Sequence, residues 1–97
     1  MSVYAIAHIR RIKDPAIFAA YRAAAGEALA KHGGKVAQAL PGPARLEGDL
    51  EIPQMLALLE FPDWKAANSW HADPALADIH ALRTNGADIT IFAGTGD

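Results

Sequence analysis

Apolar residues follow first a strand-like and then a helix-like spacing from the start of the chain. Residues 3–12 are rich in β-branched and apolar residues, and both faces of this segment begin apolar. That pattern predicts a β-strand covered on two sides. The period of two places one set of side chains on a common face, namely Tyr4, Ile6, His8, Arg10 and Ile12.

A helix follows, and it is the clearest element in the sequence. Asp14 is the predicted N-cap, and Pro15 takes the first helical position, where its missing N–H costs nothing. Apolar residues then recur at helical spacing as far as His32. Gly33-Gly34 ends the helix, because glycine readily adopts the left-handed conformation that caps helices.

Two strands and an interruption are predicted in the middle of the chain. Residues 35–40 resume a strand, and Pro41-Gly42-Pro43 breaks it because proline cannot donate to a ladder. We expect a bulge or an edge break there before the strand resumes over residues 44–47. The dense apolar run 55–61 is short enough to be a central strand.

A second helical region precedes the last strand. Asp63 is its predicted N-cap, and Asp73-Pro74 repeats the start signal, so we predict two segments with a kink at Asp73. One face of the second segment carries Leu76, Ile79, His80 and Arg83. Gly86 ends it, residues 87–93 form the last strand, and residues 94–97 are a loose tail.

The resulting order, β-α-β-β-α-β, is the ferredoxin-like motif of the α+β class, in one domain over residues 1–97. Short right-handed crossovers place the helices on one face of an antiparallel sheet. The other face then remains apolar and open, and a second sheet packed on it is the simplest cover. The sequence therefore predicts a homodimer formed through the open sheet face.

Charge and cysteine content narrow the classes of function. The formal net charge of −2 argues against binding to nucleic acid or to an anionic membrane, both of which favour basic proteins. Without cysteine there is no disulfide, thiolate nucleophile or zinc–thiolate site. The sequence shows neither a signal-peptide pattern nor a membrane-spanning apolar run. We expect a cytoplasmic protein without a metal or cofactor.

His8 is the predicted catalytic residue. It lies in the middle of the first strand, on the face of Tyr4 and Ile6. If that face lines a cavity between two sheets, the imidazole can act as an acid, a base or a ligand-orienting group. The alternative is a histidine packed at the dimer interface and hydrogen-bonded to a neighbour.

A ligand is predicted to contact five further residues: Tyr21, Arg22, Glu60, Trp70 and Arg83. Arg22 has two structural alternatives, a solvated position or an ion pair with Glu47 or Glu60. Arg83 shares an apolar face, so it either has a carboxylate partner or binds an anionic ligand.

The structural interpretation also stays open for the aromatic residues. Trp64 and Trp70, at helical spacing, are more typical of a core than of a ligand platform, and Tyr21 shares the apolar stripe of the first helix. The spacing of His71 and His80 matches no recognised metal site, although either could serve as the axial ligand of a haem. His32 is expected to interact with the dipole of the first helix.

Several short motifs occur in an order that resembles one known family. They are Asp14-Pro15, Tyr21-Arg22, Leu46-Glu47-Gly48-Asp49, Glu60-Phe61-Pro62, Ala67, Trp70, Asp73-Pro74 and Arg83. Over residues 3–92 the chain resembles the family called domain of unknown function 1330. It departs from that pattern at His71 and Leu76, where an aromatic is common, and at His8, where an acidic residue is frequent.

The resemblance implies a dimeric α/β barrel, in which two ferredoxin-like sheets pack face to face. Small monooxygenases, muconolactone isomerases and haem-dependent chlorite dismutases share that superfamily, whereas the family itself has no established activity. It therefore lends this chain no catalytic residues.

Two functions remain open from the sequence. The first is a site for a small organic acid or aromatic metabolite beside the sheet, serving a cofactor-independent isomerase, lyase or monooxygenase. In that hypothesis His8 is the acid or base, and Arg22 or Arg83 holds an oxyanion or carboxylate. The second is a non-catalytic dimeric module that binds a metabolite or a partner protein.

Overall fold

Four strands and three α-helices make up the computed structural model, which describes residues 1–96. In chain order they are β1 (Val3–Ile12), α1 (Pro15–Ala30), β2 (Lys35–Pro41), β3 (Met55–Phe61), α2 (Trp64–Ala72), α3 (Ala77–Gly86) and β4 (Ala87–Thr95). A single 3-10 turn, Pro74–Leu76, separates α2 from α3. The predicted element order and the predicted kink in the second helical region are both confirmed.

The strands form one antiparallel sheet in the order β2-β3-β1-β4. The two central strands are therefore β3 and β1, and each crossover between strands carries its helices to the same side of the sheet. This arrangement confirms the predicted ferredoxin-like α+β fold.

Aspartates cap α1, α2 and the 3-10 turn, at the three positions that the sequence predicts. The Oδ1 atom of Asp14 accepts hydrogen bonds from the backbone N–H groups of Ala16 and Ile17, at 3.0 and 3.1 Å. Asp63 caps α2 in the same way, and Asp73 caps the 3-10 turn. Each carboxylate satisfies N–H groups that have no partner within the helix.

Alternation along β1 separates a helix-covered face from a bare one. Val3, Ala5, Ala7 and Ile9 are buried beneath the helices, at 5% exposure or less. The intervening side chains point to the other side, which we call the open face. It consists of Tyr4, Ile6, His8, Leu56, Leu58, Glu60, Thr90 and Phe92.

The open face remains largely apolar and accessible in a single copy of the chain. Ile6 is 50% exposed and Phe92 66% exposed, and these two residues lie opposite each other in the ladder between β1 and β4. Leu58 lies opposite Ile6 on the other side, in β3. The predicted apolar open face is thus present.

The prediction that Ile12 lies on the open face is wrong. The register of β1 against β4 shifts between Ile9 and Arg11, so Arg10 is an extra, bulged residue. A one-residue bulge reverses the side to which the following residues point. Ile12 consequently packs with Ile9 and Phe18 on the helix side.

The predicted short strand over residues 44–47 is also wrong. Residues 42–54 form a loop without regular secondary structure, in which Gly42 and Gly48 adopt positive φ angles of 63° and 95°. The backbone N–H of Gln54 donates to the carbonyl of Ile9 at 2.9 Å and anchors the end of the loop to β1. The β2 strand that precedes the loop has its own bulge, between Val36 and Gln38.

Two predicted element ends differ from the structure. The first helix ends at Ala30 and continues as a turn to Gly33, whose φ of 75° requires glycine. The last strand extends through Gly94 to Thr95, so the first two residues of the predicted loose tail belong to the sheet. The final residue of that tail, Asp97, lies outside the described residues.

Asp73 links the end of α1 to the junction between α2 and α3. Its Oδ2 atom lies 2.8 Å from both Lys31 Nζ and His32 Nε2. These hydrogen bonds, Lys31 first, hold the pKa of the Asp73 carboxyl well below its ordinary value. His32 thus contacts a carboxylate, which the prediction of a simple dipole interaction did not include.

Candidate functional site

Arg83 is buried where the three helices meet above the sheet. Its side chain is 4% exposed, and it is the only buried charged residue in the described part of the chain. The guanidinium carbon lies 5.0 Å from the centre of the Trp70 ring and 5.7 Å from that of Tyr21. Aromatic faces at such distances attract a cation.

No carboxylate of residues 1–96 lies within 4.0 Å of the Arg83 guanidinium. Among the described residues, Arg83 therefore lacks the ion pair that was its structural alternative. Guanidinium stays protonated even when buried, so its charge cannot be relieved by losing a proton. What remains is a buried cation held by two rings and one histidine.

That histidine is His80, one turn earlier on α3. Arg83 Nη1 donates to His80 Nδ1 at 3.2 Å, and His80 Nε2 donates to the Trp70 carbonyl at 2.9 Å. The two bonds require a neutral imidazole with its proton on Nε2. Burial lowers the pKa of His80, and the neighbouring charges of Arg83 and His71 lower it further. His80 therefore orients both Arg83 and the end of α2.

Arg83 faces a cavity of about 330 Å³ between the helices α2 and α3 and the sheet, which we call the Arg83 cavity. Asn68, Trp70 and His71 line it from α2, and Thr84 lies beside Arg83 on α3. The sheet contributes apolar side chains, among them Phe61, Ile89, Ile91 and Ala93. Polar groups are thus gathered on the helix side.

A second cavity, of about 260 Å³, lies beneath α1, and we call it the α1 cavity. Its walls are predominantly apolar and include Phe18, Leu29, Met55 and Leu59. Tyr21 and Arg22 contribute its polar atoms. Ile89 and Ile91 of β4 line both cavities.

Three of the predicted site residues come together in this region. Tyr21, Trp70 and Arg83 form the contact described above, and Arg22 lies nearby on the wall of the α1 cavity. The Arg22 side chain is exposed, and no ion pair with the predicted partners Glu47 or Glu60 is found in residues 1–96.

His8 and Glu60 lie on the opposite side of the sheet. His8 lines a separate cavity of about 230 Å³ between the open face and the loop 42–54. Glu60 lies opposite Tyr4 of β1 in the ladder, also on the open face. A single site that combines His8 with Arg83 is therefore not formed within one copy, because the sheet separates them.

Some cavity residues gave no signal in the sequence. Asn68 and Thr84 are exposed polar residues on helices, with nothing to distinguish them from solvated positions. His71, which the sequence suggested only as a haem ligand, lines the Arg83 cavity, and its ring stacks on His80 with centroids 6.0 Å apart. The core interpretation suits Trp70, which is 5% exposed, but not Trp64, which is 46% exposed.

Neither a cluster of three His, Asp or Glu side chains suited to a metal nor a helix able to cross a membrane occurs among residues 1–96.

The fold and the buried arginine define a small ferredoxin-like protein with a cavity between its helices and its sheet. Residues 2–96 match the model of the family described as domain of unknown function (DUF1330). The chain belongs to that family. None of the curated proteins matches it.

Solved structures of similar fold cover nearly the whole chain at low sequence identity. A protein of unknown function from Rhodopseudomonas palustris is 19% identical, with a TM-score of 0.78 over 99% of this chain and 82% of its own. A variant of SnoaB, a cofactor-independent oxygenase from Streptomyces nogalater, is 16% identical, with a TM-score of 0.68 over 98% and 92%.

A third neighbour is a dimeric ferredoxin-like protein of unknown function from Jannaschia sp. CCS1. It is 13% identical to this chain, with a TM-score of 0.71, and the match covers 99% of this chain and all (100%) of the neighbour. At these identities the three structures support the fold.

Proposed function

We propose that the protein binds a small organic acid in the Arg83 cavity, with the acid's carboxylate on the Arg83 guanidinium. The observation that carries this proposal is a charged side chain, 4% exposed, with no carboxylate partner in residues 1–96. An unpaired buried charge is costly unless a counter-ion arrives. The planar guanidinium is well suited to a carboxylate, which it can bind through two parallel hydrogen bonds.

The neighbours of Arg83 support an acid with an aromatic or other apolar body. Trp70 and Phe61 contribute ring surface to the Arg83 cavity, while Asn68 and Thr84 supply groups that can hydrogen-bond to oxygen substituents. The Arg83 cavity thus combines an apolar wall from the sheet with a small set of polar groups from the helices, and such a set of polar groups can orient a small metabolite.

We also propose that two copies associate through the open face. Ile6 and Phe92 expose apolar surface there, and packing against a second sheet would remove it from water. The dimeric ferredoxin-like neighbour supports this association. In the dimer, His8 and the loop 42–54 would lie at the interface, so a role for His8 in catalysis depends on the partner copy.

The catalytic form of the proposal is a cofactor-independent oxygenase, isomerase or lyase acting on the bound acid. The similarity of fold to SnoaB, a cofactor-independent oxygenase, supports the first of these classes. His71 lies on the wall of the Arg83 cavity, where an imidazole can accept a proton from the ligand. Binding without turnover is the non-catalytic alternative.

A thermal-shift titration with benzoate, salicylate and succinate tests the binding proposal. A ligand at about 100 times its Kd stabilises the native state by about 2.7 kcal/mol, which raises the Tm of a domain of this size by roughly 10 °C or more. Arg83→Met should abolish the shift, and Arg83→Lys should weaken it. Arg11→Met removes an exposed arginine away from both cavities and should leave it unchanged.

The proposal fails if no carboxylate shifts the Tm, or if Arg83→Met responds like the wild type. Oxygen uptake with each acid that binds then separates oxygenation from the other forms. If the wild type consumes oxygen with an acid and Arg83→Met does not, the result supports an oxygenase. If an acid binds and no oxygen is consumed, the protein does not oxygenate that acid.

A further inference from the structure

We infer that the Arg83 cavity and the α1 cavity form one two-part site, and that its ligand is an amphipathic carboxylic acid. The carboxylate lies on Arg83, and an apolar body of several carbon atoms extends beneath α1. This inference rests on the proposed function and specifies which acids the site accepts.

Shared walls make the two cavities neighbours. Ile89 and Ile91 of β4 line both, and along β1 the Arg83 cavity contacts Ala5 while the α1 cavity contacts Ala7, the next residue on the same face. The contact between Arg83 and Tyr21 lies at their boundary, because each residue lines one of the two cavities.

Volume favours a ligand that occupies both parts. The cavities measure about 330 and 260 Å³, so each alone is at or below the lower end of the usual range for ligand sites, about 300–1,000 Å³. Together they lie well within that range. A two- or three-carbon acid would leave most of this space empty.

Polarity divides the combined site into two ends. Arg83, Asn68, His71 and Thr84 are gathered in the Arg83 cavity, whereas the α1 cavity is lined predominantly by apolar side chains such as Leu29 and Met55, with Tyr21 and Arg22 as its polar side chains. A ligand that matches this division carries its charge at one end and hydrocarbon at the other.

Gly26 supplies an independent indication that the α1 cavity is kept open. It lies inside α1, where glycine costs about 1 kcal/mol relative to alanine, and it lines the α1 cavity. Its φ is not positive, and no heavy atom of a neighbouring element in the described chain lies within 4 Å of the position of a Cβ atom. The fold thus has no need for glycine there. A larger side chain would instead narrow the mouth of the cavity.

Calorimetric titration with acetate, butanoate, hexanoate and octanoate tests the inference, with hexanol as the uncharged control. In the wild type the affinity should rise about fourfold for each added methylene that becomes buried. Hexanol should bind far more weakly than hexanoate. Gly26→Leu should remove most of the gain from chain length, whereas acetate, which occupies only the Arg83 cavity, should still bind. Ala23→Leu introduces the same side chain at an exposed position of α1 outside both cavities and should behave like the wild type.

Ala57→Leu provides a second way to fill the α1 cavity, from the sheet side. Equal affinity for acetate and octanoate, with binding still lost in Arg83→Met, would overturn the two-part site but keep the proposed function. If none of the acids binds, the proposed function fails first. Hexanol binding as tightly as hexanoate would show an apolar cavity without an anion site, and it would overturn the inference.

Discussion

Gly86 at the end of α3 packs against the backbone of Phe18 in α1. A Cβ atom at Gly86 would lie 2.8 Å from Phe18 N and 3.0 Å from Phe18 Cα, so only glycine fits. The carbonyl of Gly86 also accepts hydrogen bonds from the N–H groups of Lys13 and Asp14, at 2.8 and 3.1 Å. This close contact fixes α1 and α3 side by side, and Arg83 reaches the Tyr21 ring about one turn away.

Replacement of Gly86 by alanine should therefore destabilise the protein by about 1–3 kcal/mol, because backbone atoms cannot move aside as a side chain can. Gly26→Ala is the matched control, since its new methyl group enters open space within the same helical layer. It should stabilise the fold by up to about 1 kcal/mol. Urea unfolding of both variants checks the pair, and equal effects would contradict this account of Gly86.

Arg83→Met should lower the free energy of unfolding by no more than about 1 kcal/mol in the absence of ligand. Methionine fills much of the same volume and removes an unpaired buried charge, which offsets the lost contacts with Trp70 and Tyr21. Arg83→Ala should cost more, because it leaves a void. A loss of several kcal/mol in Arg83→Met, measured by urea unfolding, would assign Arg83 a structural role.

Stability should fall as the pH drops below about 6.5, through His80. Burial lowers the pKa of this imidazole in the folded state, so the unfolded state binds more protons between the lowered pKa and the ordinary value of about 6.5. Stability consequently rises with pH across that window and is fully present above it.

His80→Gln is the test of this pH dependence. A glutamine amide can also donate at one atom and accept at another, as the neutral imidazole does, but it does not titrate. The difference in unfolding free energy between pH 7.5 and pH 5.5 should be smaller in the variant than in the wild type. An unchanged difference would mean that other groups dominate.

Ile6→Glu should convert the proposed dimer into a monomer. The substitution places a carboxylate between Leu58 and Phe92 on the open face, where association would have to desolvate it. Ala20→Glu introduces the same charge on the exposed side of α1 and should leave the dimer intact. Sedimentation velocity distinguishes the two species, and a wild-type protein that sediments as a monomer would refute the dimer.

Local sequence signals were sufficient for most of the architecture. Asp14, Asp63 and Asp73 each precede a helical segment and cap it, and the alternation in β1 correctly identified the two faces of the sheet. The errors came from departures from regular spacing. The bulge at Arg10 moved Ile12 to the other side, and the loop after Pro41 did not resume a strand.

The contacts within the site could not be predicted from the sequence as well as the fold could, because they depend on how the helices pack against one another. The apolar face of α3 indicated that Arg83 is buried, but its two aromatic neighbours come from α1 and α2. No local pattern reports that His80 holds the guanidinium or that no carboxylate of residues 1–96 forms an ion pair with it. Those relationships follow from the close packing of α1 against α3.

The bulge in β2 has a consequence for the edges of the sheet. β2 is one outer strand, and the register shift between Val36 and Gln38, together with the missing N–H of Pro41, interrupts its row of free donors and acceptors. The other outer strand, β4, has no proline and continues through Gly94 to Thr95. An extended peptide, or a strand from a misfolded copy, would therefore extend the sheet at β4, where the hydrogen-bonding groups form a longer uninterrupted row.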